Sequence, residues 1–218
     1  MLLSIIRQNQ KLAAKRNPAF DRNRFAKFLI YFMVAFWAAY LIFIGVMLSF
    51  AFEDIFPSME PYHIMNQGLI YLLILDFLLR FMLQPAMSQE IKPYLLMPVK
   101  KNKLVDTLLL QSGISSYNFF WFFLIVPFAL LTIIRFYGFT GILCYLCGIW
   151  LLMVMNSYWY LICKTLLNEK LLYILLPIGV YGLLAGAEFI PEGNPVSTFM
   201  MNLGEGFIEG NILAFLGV

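Results

Sequence analysis

Residues 28–50 read FLIYFMVAFWAAYLIFIGVMLSF, 23 residues with no charge and apolar character on every face. A helix crossing a ~30 Å hydrocarbon core needs about 20 mostly apolar residues, and this run supplies them. A membrane β-barrel would instead alternate apolar and polar side chains over segments of about 10 residues, a pattern the run lacks. It predicts a membrane-spanning helix. Four more apolar runs follow at 64–83, 104–134, 139–162 and 171–190, so the sequence predicts five spans. The whole composition agrees. The chain of 218 residues is 62% hydrophobic and 12% charged, with a mean hydropathy of +0.82, against roughly 45–50% apolar and ~25% charged residues in soluble domains. The expected fold is all-α: a polytopic helical membrane protein forming one domain over residues 1–218.

The first run is read as a retained anchor. It is preceded by 27 residues, and no small-residue cleavage site follows it in LSFAFEDIFPSMEP. Short-loop cations set the orientation. Arg7, Lys11, Lys15, Arg16, Arg22, Arg24 and Lys27 precede the first run, Lys92, Lys100, Lys101 and Lys103 follow the second, and Lys164 and Lys170 follow the fourth, which puts 13 of 15 on one side. The opposite loops carry Arg135 with Glu53, Asp54, Glu60, Glu192, Glu205 and Glu209. The reading is an integral plasma (inner) membrane protein with a cytoplasmic N-terminus. The net charge of +3 reflects that segregation and does not argue for nucleic-acid binding.

Three segments depart from simple spans. Residues 1–27 place Ser4, Arg7, Gln8, Lys11 and Lys15 on one helical face and Leu2, Ile5, Ile6, Leu12 and Ala13 on the other, which predicts a basic amphipathic helix on the cytoplasmic surface. Such a helix contacts anionic lipid or frames a docking surface for a partner. The third run has 31 residues, about 46 Å at 1.5 Å per residue, longer than the bilayer core. It is read as two parts, LVDTLLLQSGISSYN at the cytoplasmic interface and FFWFFLIVPFALLTII across the lipid, with a kink at Pro127. Residues 191–218 are moderately apolar and broken by glycines and acids, and no complete sixth span fits there. Short outer-face or re-entrant helices are expected, in a chain truncated before a further span.

Groups able to do chemistry are few. His63 is the single histidine and cannot assemble a multi-ligand metal site. No GxSxG, HExxH or paired-carboxylate pattern occurs, so no catalytic residue is assigned and the chain is not read as an enzyme. Cys144 and Cys147 form CYLC inside the fourth run, and these, like Cys163, are read as packing residues. Asp76 and Arg80, four apart in the second run, can pair. They serve either as a structural pair or in transmitting motion along a polar path, and Glu188 at the end of the fifth run divides the same way. Gly182 and Gly186 form a GxxxG suited to helix packing. A Walker A sequence is absent, so any ATP driving this protein is bound by another chain.

The longest inner loop, QPAMSQEIKPYLLMPVKKNKLV at 84–105, carries an acid at Glu90, then Lys92, an apolar Tyr94-Leu95-Leu96-Met97, and Pro98-Val99 before Lys100, Lys101 and Lys103. This resembles the loop between the second and third spans of the type-2 permease family of ATP-binding-cassette (ABC) transporters. There a similar acid and a Leu-Leu-x-x-Pro-Val-basic-basic pattern lead into the third span. Over essentially the whole chain the order of elements is similar too. The resemblance implies a permease subunit of an ATP-driven exporter, with ATP acting through a separate nucleotide-binding subunit, and a dimer of permease subunits. Residues 84–103 would be a coupling element in which Leu95, Leu96 and Val99 fix position while Glu90, Lys100 and Lys101 meet the ATPase. The Gly-Thr pair that often follows the acid in that family is replaced by IKP. The competing reading is a non-transporting membrane assembly or sensory subunit, whose inner loop is basic for topology alone.

Overall fold

Apolar runs of this length can satisfy their backbone polar groups in lipid only by closing them within helices. The computed structural model of the chain describes residues 24–84, 101–188 and 194–218, together with 8, 9 and 12, and among them there is no strand. Helix α1 runs Arg24–Ile55, α2 Pro61–Gln67, α3 Leu69–Leu83, α4 Lys101–Gly113, α5 Ser116–Phe120, α6 Phe122–Thr132 and α7 Ile134–Glu169. A short 3-10 turn, Leu171–Ile174, leads into α8, Leu175–Glu188, and the described chain closes with α9, Pro195–Ile208, and α10, Ile212–Leu216.

Three helical stretches are long and apolar enough to cross a membrane: Lys27–Ile55, Ile134–Glu169 and Leu171–Glu188. The number rises to five if each of two bent pairs is one span. The first pair, α2 with α3, turns by 48° at Gly68 within the run expected as the second span. The second joins Asn102–Phe120 to α6 at 62°, so the long third run does divide. Helix α6 continues through Pro127, and the interruptions fall instead at Ser115 and Trp121. The Ser/Gly cluster before Ser115 favours a break because Ser side chains offer the backbone alternative hydrogen bonds and Gly adds conformational freedom. In α7 the helical path is broken at Gly138, whose φ of 64° suits glycine. The regular part of that helix therefore starts at the beginning of the expected fourth span.

Packing fixes the relative directions. Gly45 of α1 lies against α6 so closely that a Cβ there would stand 2.2 Å from the Leu124 carbonyl oxygen, and Phe52 meets Phe128 edge-on at 6.2 Å. Further along, Arg135 pairs with Glu53 at 2.6 Å on the surface. Helices α1 and α6 therefore run parallel. So do α3 and α7: Asn66, just before α3, accepts a hydrogen bond from Tyr145 at 2.9 Å, Asn156 reaches Leu73 and Asp76, and Tyr160 reaches Gln84. At the Asn66 end, α9 seals the bundle. Gly204 lets it approach Asn66, and Gly148 makes room for the ring of Phe207. A large apolar core around Phe128, Tyr145, Ile149 and Phe207 fills that end, and a smaller one around Phe77, Tyr160, Leu161 and Cys163 lies toward the other.

Candidate functional site

Asp76 and Arg80 are the two charged side chains buried among the described residues, 3% and 1% exposed. Their spacing on α3 puts them on one face, and the Arg80 Nε donates to Asp76 Oδ2 at 2.7 Å. The carboxylate has two further donors. Trp121 Nε1 donates to Oδ1 at 2.8 Å, and Asn156 Nδ2 donates to Oδ2 at 2.7 Å while also reaching the Leu73 carbonyl at 3.0 Å. Tyr181 then donates its hydroxyl hydrogen to Asn156 Oδ1 at 3.2 Å. Asp76 thus ties α3 to the α5–α6 break, to α7 and, through Asn156, to α8. Trp121 reaches it because it occupies the turn between α5 and α6. Three donors converge on one carboxylate, which makes Asp76 an anchor for cationic and polar neighbours.

One turn beyond Arg80, a second polar group closes the end of α3. The Lys164 ammonium donates to the carbonyls of Phe81, at 2.9 Å, and Gln84, and it lies 5.3 Å from the ring centroids of Phe81 and Tyr160. Tyr160 donates to the same Gln84 carbonyl at 2.6 Å. These are last-turn carbonyls with no helical partner, and a cation there also opposes the helix dipole. The chain therefore leaves α3 from a point held by α7.

Glu188 stands apart from this network. It accepts from the Ser197 N–H at 3.1 Å and from the Ser197 hydroxyl, so it caps the first turn of α9, whose N-cap Asn194 makes no side-chain capping bond. Of the proposed loop residues, Glu90, Lys92, Leu95, Pro98, Val99 and Lys100 lie outside the described residues, as does most of 1–27; Lys101 opens α4, and Lys103 is exposed on it. His63 pairs with Glu205 at 2.5 Å, joining α2 to α9. Cys163 is buried, Cys144 half-buried and Cys147 exposed, all as free thiols. Gly179, Gly182 and Gly186 have open space where a Cβ would be, so this chain leaves the GxxxG unpacked. Among the described residues no group of three or more His, Cys, Asp or Glu could hold a metal ion.

The sequence reading did not single out Trp121, Asn156, Tyr181, Tyr160 or the capping role of Lys164. Asn156 had a usable signal, since an amide inside the apolar MVMNSYWY requires a hydrogen-bonding partner in a membrane. Trp121 is hidden in an aromatic run, where its N–H is one feature among many apolar ones. No curated protein and no solved structure matches this chain. A family described as being of unknown function, DUF5687, matches residues 10–218, from ahead of α1 to the last residue of the chain. The protein therefore belongs to the DUF5687 family.

Proposed function

We propose that this chain is a membrane-spanning permease subunit of an ATP-driven exporter of the ABC type, lying in the plasma membrane as five spans with a cytoplasmic N-terminus. Residues 84–103 are the element on which a separate ATPase subunit rests, and a second permease subunit completes the assembly. The observation that carries this reading is the anchoring of the loop's origin. Gln84 is held by Tyr160 and Lys164 of α7, and α7 is joined through Asn156 and Asp76 to Trp121, downstream of the loop's return as α4. Force on the loop would reach three helices through directed polar contacts. The loop's resemblance to the permease pattern supports the same reading. A second reading, as an assembly or sensory subunit, draws support from bare apolar faces: only 11% of the most apolar part of Lys27–Ile55 and 6% of Leu171–Glu188 is buried.

Charge reversal at Lys100 and Lys101 tests the choice. The variant should insert normally, lose association with a copurifying Walker-motif ATPase and lose stimulation of its hydrolysis. Equal copurification with the reversed loop would leave those lysines as topology signals alone.

A further inference from the structure

The network around Asp76 uses one of the five N–H donors of Arg80. The Nε is bonded to Asp76, while Nη1 and Nη2 are buried with no acceptor among the described residues. A guanidinium presents its donors as a rigid planar fork that matches two oxygens of a carboxylate or phosphate. Here the fork is already oriented: Asp76 holds Nε, and Trp121 and Asn156 hold Asp76. Leaving buried donors unsatisfied is destabilising, so the side chain as placed favours any state that brings it an acceptor.

The local charge balance points to the acceptor's sign. Asp76 offsets Arg80, but Lys164 of α7, held one turn further along α3, donates hydrogen bonds only to main-chain carbonyls, lies over two aromatic rings and makes no ion pair among the described residues. Among the described residues, the inner end of α3 thus carries two cations and one anion. A neutral acceptor would satisfy the fork and leave that excess, whereas an oxyanion meets both. We infer that Arg80 forms a binding site for an oxyanion presenting two acceptor oxygens, a phosphate or a carboxylate, which enters by parting the side chains that cover Nη1 and Nη2, with Lys164, held one turn further along α3, adding to the positive field. This ligand has two possible sources, a soluble anion and an anionic lipid headgroup. The inference does not depend on the permease reading, because binding is measured without ATP or a partner.

The test uses the full chain, purified in detergent and titrated with sodium phosphate or sodium acetate against sodium chloride at matched ionic strength. In parallel, it is placed in nanodiscs of phosphatidylcholine with or without phosphatidylglycerol. Thermal protection by phosphate or acetate in detergent assigns a soluble anion, while protection confined to the phosphatidylglycerol nanodiscs assigns a lipid headgroup. In either case Arg80→Lys, which keeps the charge and loses the fork, should weaken the effect at least tenfold. Lys164→Met should weaken it severalfold, and Lys170→Met, at an exposed position, should leave it unchanged. A second measurement covers variants that fail to fold: in the wild-type protein labelled with 15N-arginine, the ligand should shift the Nη resonances of a solvent-protected arginine. The inference is overturned if no oxyanion protects beyond chloride, if Arg80→Lys binds as wild type does, or if those Nη resonances are indifferent to every anion.

Discussion

A carboxylate buried in an apolar bundle needs hydrogen-bond partners for both oxygens, and Asp76 has a donor on one oxygen and two on the other. Its value lies in holding Arg80. Asp76→Asn removes the opposing charge while keeping the side chain's shape, and leaves the Arg80 cation uncompensated in the interior. The expected loss of stability is about 2.5–3.5 kcal/mol, the insertion cost of one charge at a helix centre. Adding Arg80→Gln should recover much of it, because two neutral amides can share the remaining donors and acceptors. Chemical unfolding of the single and double variants measures this coupling. A double variant no more stable than Asp76→Asn would mean that Arg80 draws its stabilisation from a group other than Asp76. The pairing of these two residues was legible from their spacing alone. The donors Trp121 and Asn156 were not, nor was the bond from Tyr181 to Asn156, because contacts between residues 45, 80 and 25 positions apart depend on where the helices bend.

The bends separate what sequence could give from what it could not at the scale of elements. The split of the third run followed from its excess length and its Ser/Gly cluster. The 48° turn at Gly68 did not, since one glycine within an apolar run is tolerated by a straight helix. Pro127 misleads in the other direction: a missing N–H permits a kink, but α6 is packed against α1 at Gly45 and Phe52 and continues through it. Glu188 shows the same dependence on assembly. As a residue near the end of an apolar helix it reads as an intramembrane charge, yet its partners are the first-turn N–H and hydroxyl of Ser197 on the next helix. A carboxylate at a helix start is favoured by the exposed N–H groups and by the dipole. Glu188→Ala should therefore destabilise the first turn of α9 by about 0.5–2 kcal/mol. Glu188→Gln, which can still accept a hydrogen bond, should lose only the charge contribution of about 0.3–1 kcal/mol. Amide hydrogen exchange at residues 196–199 reads both effects, and unchanged protection in the alanine variant would remove the capping role.

At the scale of the molecule, the open quantity is whether each bent pair crosses the membrane, and the two possibilities place the chain differently. Helices α1 and α6 run parallel, as do α3 and α7, which is the relation required of first with third and second with fourth spans. The charges separate accordingly, with Glu53, Glu60 and Glu205 at one end and Lys103, Lys164 and Lys170 associated with the other. With five spans and the proposed cytoplasmic N-terminus, Met59 would lie outside while Lys103 and Lys170 would lie inside. If only the three long helices cross, α2–α3 and α4–α6 return to the side they entered from, so Lys103 joins Met59 outside and Lys170 alone stays inside. Single cysteines at Met59, Lys103 and Lys170, in a background with Cys144, Cys147 and Cys163 replaced by alanine, distinguish these arrangements. Met59 and Lys103 are exposed, so folding should not hide them from reagent. In intact cells a membrane-impermeant maleimide should label the Met59 position alone, and permeabilisation should make the other two accessible. Labelling at Lys103 from outside would reduce the bundle to three spans, turn the basic loop away from the cytoplasm and remove the docking role proposed for residues 84–103. The oxyanion site at Arg80 would remain to be judged by its own titration, because its donors depend on packing within the bundle and not on which side of the membrane the loop lies.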